Sequence, residues 1–244
     1  MRYDWKIIRP ALRRAVLRVG VLISVLGGGV ALFHPETPLP DEWNPTKPLQ
    51  VNASVTALTS WKLRAALRRD DACFAALEQV AHVSRMPPLF DSEECHIQPR
   101  LAISSLGDAT LAAFETRCQT ALRLAMWEQH GLQTAARRHL GREVIEIRHY
   151  SSYSCRKMRT SAGESDRMSS HATANAIDVS GFRLADGTLV DLRRDWPGED
   201  AKSAFLRDAF ESACIWFPLA LGPDYNNLHA DHFHLQATGW GLCR

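Results

Sequence analysis

The sequence predicts an α+β domain carried behind an N-terminal apolar helix, and three observations carry that prediction. A basic stretch ending at Arg18 runs into an apolar segment. Between residues 56 and 139 apolar side chains recur mostly at helical spacing. From Val144 onward the runs become strand-like, broken by one further helix. Helices first and an antiparallel sheet afterwards is the α+β order, with helices packed on a small sheet.

The first element is the run Val19 to Phe33 (VGVLISVLGGGVALF), preceded by Arg2, Lys6, Arg9, Arg13, Arg14 and Arg18. It lengthens to a membrane span if Ala15, Val16 and Leu17 join it and Arg18 snorkels toward the headgroups. His34, Pro35 and Glu36 follow, rather than a small-x-small cleavage site. The expectation is an uncleaved anchor over residues 1–33, with a cleaved signal as the alternative. The basic flank puts the N-terminus in the cytoplasm and the remainder outside it.

Residues 34–54 begin with five prolines in HPETPLPDEWNPTKPLQ, which predicts a stiff, extended tether. The folded domain is expected over residues 55–244. Leu63, Ala66 and Leu67, then Phe74, Leu77 and Val80, predict one or two helices ended by Pro87 and Pro88. Ile97 to Ile103 reads as a short strand. Phe114 to Trp127 reads as a helix, and residues 132–139 as another, closed by Gly141. Val144 to Arg148 reads as a strand, and residues 149–170 as a loop without periodicity. Asn175 to Leu184 and Leu189 to Leu192 read as strands joined through Asp186-Gly187, where glycine accepts a positive φ. Ala201 to Phe217 is an amphipathic helix, and His232 to Leu235 a last strand.

The net charge is only +2, and much of the basic charge lies in the N-terminal segment. The remainder has no basic footprint of the kind nucleic-acid binding needs. Six cysteines in an exported domain imply disulfides. No Cys-x-x-Cys pair offers a thiolate zinc site. A local Cys73–Cys95 bridge is the expected pairing among 15 possibilities.

The residues suited to chemistry cluster in two short segments, SSHATANAIDVSGF and LHADHFHLQ. These contain His171 and Asp178, then His229, Asp231, His232 and His234. Imidazole and carboxylate are zinc ligands. Residues two apart on a strand face the same side, so His232 and His234 are expected to point together. Three protein ligands leave a position at which water can be activated, with a neighbouring carboxylate or imidazole as general base.

Ser169-x-His171-x-x-Ala174-x-Ala176-x-Asp178 resembles the SxHxxGxAxD signature of the LAS-type zinc peptidases. Those are D-alanyl-D-alanine carboxypeptidases, dipeptidases and murein endopeptidases, and Asp231-His232-Phe233-His234 is similar to their second signature. From about residue 70 to 244 the chain more closely resembles the extensin-like C-terminal domain family of bacterial envelope proteins. That resemblance runs through Cys155-Arg156, Asn175-Ala176-Ile177-Asp178-Val179, Gly181-Phe182, Asp186-Gly187, Ala213-Cys214, Leu221-Gly222-Pro223 and Cys243-Arg244.

The resemblance implies a single LAS-peptidase-like domain in which His171, Asp178 and His234 hold Zn2+. It implies His232 or Asp231 as general base, with His232 favoured and Asp231 then orienting a neighbour. Arg156 is the candidate for the oxyanion or a substrate carboxylate. His229 and Ser169 are the candidate substrate contacts. The implied function is a zinc metallopeptidase acting on peptidoglycan stem peptides or cross-links, of the murein endopeptidase or D,D-carboxypeptidase type. It would be held on the inner membrane with its domain in the periplasm, or exported if the N-terminal segment is cleaved. The alternative is a non-catalytic wall-peptide-binding or structural protein that keeps the fold. Two departures bear on this choice. Ala174 stands at the signature glycine, which introduces strain if that backbone needs a positive φ, and Ser170 stands where the family usually has an acidic residue.

Overall fold

The computed structural model describes residues 5–37, 39–161 and 163–244, with side chains from residue 12 onward. Helix α1 (Trp5–Phe33) contains a 22-residue apolar stretch, Leu12–Phe33, of mean hydropathy 2.1 and with no buried part. A single such N-terminal helix fits a membrane anchor or a signal sequence. In the stretch read as a tether, a 3-10 turn forms at Asp41–Trp43, and Leu49 and Val51 are buried in the core.

Two short helices follow, α2 (Thr59–Leu67) and α3 (Asp70–Leu77). Strand β1 (Ala81–Met86) comes next, then the small hairpin β2 (Leu89–Phe90) and β3 (His96–Ile97). Strands β4 (Arg100–Leu106) and β5 (Ala109–Arg117) lead into α4 (Cys118–Trp127). The helix expected from Phe114 therefore starts four residues later. Phe114 and Thr116 pair across β4 instead, because the burial of Ala109, Leu111, Phe114 and Thr116, alternating on either side of an irregularity at Ala112-Ala113, outweighs the helical preference of those two alanines. A π-helical turn, Glu128–Leu132, joins α4 to α5 (Gln133–Leu140). Gly141 caps α5 at φ 61°, as the sequence predicts.

Strand β6 (Val144–His149) is followed by a hairpin, β7 (Lys157–Thr160) and β8 (Gly163–Met168), inside the segment read as a loop. Neither face of this hairpin is buried, so no period-two apolar signal marks it. Then come β9 (Ala176–Leu184), β10 (Leu189–Asp191), the one-turn α6 (Leu192–Asp195) and α7 (Ala201–Trp216). Strands β11 (Leu219–Leu221), β12 (Phe233–Gln236) and β13 (Leu242–Cys243) end the chain.

Among the described residues the main sheet has nine strands in the order β1-β4-β5-β6-β9-β12-β11-β13, with β10 also on β9. It is larger than expected and mixed: β5–β6 and β11–β13 run parallel, the other pairs antiparallel. Strand β9 carries the architecture of the site. Its register against β6 shifts between Val179 and Gly181. One extra residue there reverses the side-chain alternation. Ile177 and Val179 before the shift, and Phe182 and Leu184 after it, therefore all enter the core. Asp178 faces the other way. Gly181 is required beside the shift, because a Cβ there would lie 2.5 Å from the Val190 carbonyl oxygen of β10.

Three disulfides tie the domain: Cys73–Cys118, Cys95–Cys155 and Cys214–Cys243. The expected Cys73–Cys95 bridge is thus corrected. Cys73 lies on α3 against α4, whereas Cys95 closes the β2–β3 hairpin onto the segment before β7.

Candidate metal centre

Asp178 on β9 and His234 on β12 are direct cross-strand partners. Opposed side chains on one sheet face start with Cβ atoms about 5 Å apart. Here the pair closes to 2.9 Å between Asp178 Oδ1 and His234 Nδ1. Phe233 and Leu235 alternate into the core, which leaves His234 and Gln236 on the face opposite it.

His171 reaches the same point from a 3-10 turn, Ser170–Thr173. Ser169 caps the turn by accepting from the His171 N–H at 3.3 Å. At the other end Ala174 adopts φ 49°, the only positive φ outside glycine among the described residues. Its N–H bonds the His171 carbonyl, and its own carbonyl accepts from Thr120 at 2.8 Å. The left-handed conformation that the signature position suggests is therefore present, carried by an alanine. The His171 ring is buried, and its Nδ1 donates to the Ser152 carbonyl at 3.0 Å. That leaves Nε2 aimed at the site, 3.2 Å from both Asp178 Oδ1 and His234 Nδ1.

One atom each from His171, Asp178 and His234 thus lies within 4.8 Å of the others, and the three could hold a metal ion. The donor set fits a borderline divalent ion. The surroundings fit as well, since ligating imidazoles usually spend their second nitrogen on a carbonyl or carboxylate. Here the Ser152 carbonyl serves His171, while Gln236 Oε1 at 3.5 Å and Ser170 Oγ at 3.4 Å approach His234 Nε2. Burial works to raise the Asp178 pKa, but hydrogen bonds from the two histidines hold it far below the usual carboxylate range.

His232 precedes β12 rather than belonging to it, yet its ring comes to the same face. Its Nε2 lies 3.6 Å from Asp178 Oδ1, and its Nδ1 donates to Asp231 Oδ1 at 2.8 Å. Asp231 is partly buried, which works to raise its pKa, but hydrogen bonds from His232 and Arg193 bring it below the ordinary value. Its other oxygen accepts from Arg193 at 2.6 Å and from Tyr150 at 3.2 Å. His229, at the end of a 3-10 turn, stands 5.2 Å from the His232 ring and 5.8 Å from the His234 ring. Burial and then the two neighbouring imidazoles lower its pKa to about 4.

The remaining expected residues stand further from the centre. Ser169 Oγ is engaged in capping the turn. Arg156 holds the segment beside the turn through its backbone, its carbonyl accepting from the Ser169 N–H. Its guanidinium bonds the Lys157 carbonyl at 3.3 Å and makes no hydrogen bond to the three candidate ligands. Sequence reasoning missed Ser152, Tyr150, Arg193 and Gln236. Only Gln236 carried a signal, two residues beyond His234 on one strand face.

No curated protein and no solved structure matches the chain. Residues 71–244, which include every candidate ligand and all six cysteines, match the family described as extensin-like protein C-terminus, and the chain belongs to that family.

Proposed function

We propose that this protein is a zinc-dependent peptidase of the bacterial envelope, acting on peptidoglycan stem peptides or cross-links while its N-terminal helix anchors it to the inner membrane. One observation carries the reading. His171, Asp178 and His234 converge from three separate segments, and a fourth side chain, His232, presents a ring nitrogen beside them with its other nitrogen already occupied. A purely structural polar cluster has no need of that fourth group. The likeness of both segments to the LAS-type signatures points the same way.

Zinc, when bound by His171, Asp178 and His234, supplies a Lewis acid that polarises a peptide carbonyl and acidifies water. The chain's own groups do the rest. With Nδ1–H held by Asp231, the His232 Nε2 lone pair is free to take a proton and later to deliver it to the leaving amine. The Asp231 carboxylate stabilises the imidazolium so formed. His229, kept neutral at pH 7 by its surroundings, adds no competing positive charge beside it. Arg156, on the segment that flanks the turn, remains the candidate for a substrate carboxylate, which its guanidinium would have to leave the Lys157 carbonyl to meet.

The test combines metal content with product analysis on the full chain in detergent. About one zinc per chain, little in His234→Ala, and muropeptides released from purified peptidoglycan only by the zinc-loaded protein is the expected result. Full cleavage by the metal-free variant would refute the mechanism. Tight binding to peptidoglycan without released fragments would favour the non-catalytic alternative.

A further inference from the structure

Tyr150 makes three separate connections within the site. Its backbone N–H donates to the Asp178 carbonyl at 2.9 Å, fixing its Cα against the strand that carries a candidate ligand. Its hydroxyl donates to Asp231 Oδ2 at 3.2 Å. Its ring packs edge-on against the His232 imidazole, with centroids 5.8 Å apart and planes at 76°. The residue is nevertheless 58% exposed, so core packing does not account for it. Arg193, from α6, meets the same Asp231 oxygen at 2.6 Å.

We propose that Tyr150, assisted by Arg193, is the positioning residue of this centre: it clamps Asp231 and the His232 ring together so that His232 Nε2 faces the candidate metal ligands. Asp231 lies outside the strands, in the turn before β12, and its backbone alone does not fix its carboxylate. A carboxylate free to rotate would leave His232 a choice of tautomer and of ring orientation. Two donors on Oδ2 leave Oδ1 for His232 Nδ1–H, which selects the tautomer with a bare Nε2. The tyrosine ring then blocks the imidazole from swinging outward. Neither Tyr150 nor Arg193 touches a ligand side chain, so their task is separate from holding the ion. The inference deepens the proposed function, since it rests on His232 as the proton-transferring group, but the arrangement it describes is measurable without turnover.

The test uses the full chain in detergent micelles, labelled with 15N only at histidine, with the His232 signals assigned by loss in His232→Ala. In the wild type, with spectra recorded at a pH high enough for a single proton on the ring, that His232 proton is expected on Nδ1, leaving Nε2 bare. Tyr150→Ala should collapse this to an averaged pair, while zinc content stays unchanged because the backbone bond to Asp178 survives. Tyr150→Phe keeps the ring and should fall between the two, and combining it with Arg193→Ala should match the alanine variant. If the wild-type protein cleaves peptidoglycan, Tyr150→Ala should lower kcat about tenfold or more with KM nearly unchanged. A single Nδ1–H tautomer persisting in Tyr150→Ala, or an Nε2–H tautomer in the wild type, would overturn the proposal. Absence of cleavage with the tautomer behaving as expected would refute the catalytic reading alone.

Discussion

Replacing Glu128 with glutamine removes a buried carboxylate that the fold has poor means of keeping charged. Glu128 opens the π-helical turn between α4 and α5 and is fully buried. Its Oε1 accepts from Gln133 at 2.7 Å and from the Asp108 N–H at 3.3 Å. Its Oε2 has no protein partner and presses against Gly107, where a Cβ would sit only 1.9 Å away. Burial pushes the pKa up from 4.5 to about 7, the hydrogen bonds recovering only part of the loss. The sign follows from which state ionises first. Between pH 4.5 and 7 the unfolded chain has already released this proton while the folded one retains it, so stability falls as pH rises. That interval corresponds to about 3 kcal/mol, absent below pH 4.5 and fully expressed above pH 7. Glutamine stays neutral throughout, at a fixed cost of about 1–3 kcal/mol for its unpaired amide group. Urea unfolding of both proteins at several pH values between 4 and 8, with disulfides intact, isolates the effect. The glutamine variant should gain about 3 kcal/mol relative to wild type across that range, whatever its starting offset, because every other titrating group cancels in the difference. A pH-independent offset would refute the reasoning and mean that Glu128 titrates alike in the folded and unfolded chain.

Metal analysis should separate the proposed ligands from the proposed proton-transferring group. His171→Ala, Asp178→Ala and His234→Ala should each lose bound zinc, whereas His232→Ala should keep it and lose cleavage of peptidoglycan, read by mass spectrometry. Ala174→Gly relieves about 1–2 kcal/mol of left-handed strain but gives up a buried methyl and stiffens the unfolded chain less, so its Tm should move little. Ala174→Val, with a branched Cβ at φ 49°, should instead lower the Tm clearly and weaken zinc retention, because that residue ends the turn carrying His171. Replacing Cys73 and Cys118 together by serine reopens a loop of 45 residues, which the chain-entropy argument values at about 4 kcal/mol, measured by urea unfolding against wild type. An unchanged midpoint there would mean that α3 and α4 stay docked through their apolar contacts alone.

The parts of the fold legible in the sequence are those where local preference and tertiary demand agree. Val144 to Arg148 and the long β9 are rich in β-branched and apolar residues, and Gly141 and Asp186-Gly187 carry turn chemistry that any context would use in the same way. Strand β5 was not legible because Ala112 and Ala113 favour a helix, and it is the pairing of the residues on either side of them with β4 and β6 that overrules that preference. The disulfide pairing was not legible because it depends on which helices meet, not on spacing. At the site the same division holds. The candidate ligand residues announce themselves by type and by grouping in two short segments. The Ser152 carbonyl is invisible to sequence, since every residue has one. Tyr150 and Arg193 lie 81 and 38 residues from the Asp231 they hold, on segments whose composition advertises nothing.

The architecture also explains how the candidate metal-binding arrangement keeps its geometry despite an unfavourable alanine at the turn. Two of the three candidate ligands are fixed by strand register alone. Asp178 and His234 are paired across β9 and β12 by backbone hydrogen bonds, and slipping that register by one residue would bury the acid among Phe233, Leu235 and the core helices. The register shift in β9 beyond Val179 confines the change of face to the far side of the site, so Asp178 keeps its outward aim while Phe182 and Leu184 still fill the core. Only His171 depends on the turn that Ala174 closes. That turn is held from several directions: by the Ser169 cap, by Thr120 on the Ala174 carbonyl, and by the Ser152 carbonyl on the His171 ring. Each bond is worth about 1 kcal/mol, so together they exceed the strain at one residue. The strain therefore sits in a turn that its neighbours over-determine, and the geometry of the three ligands does not have to yield to it.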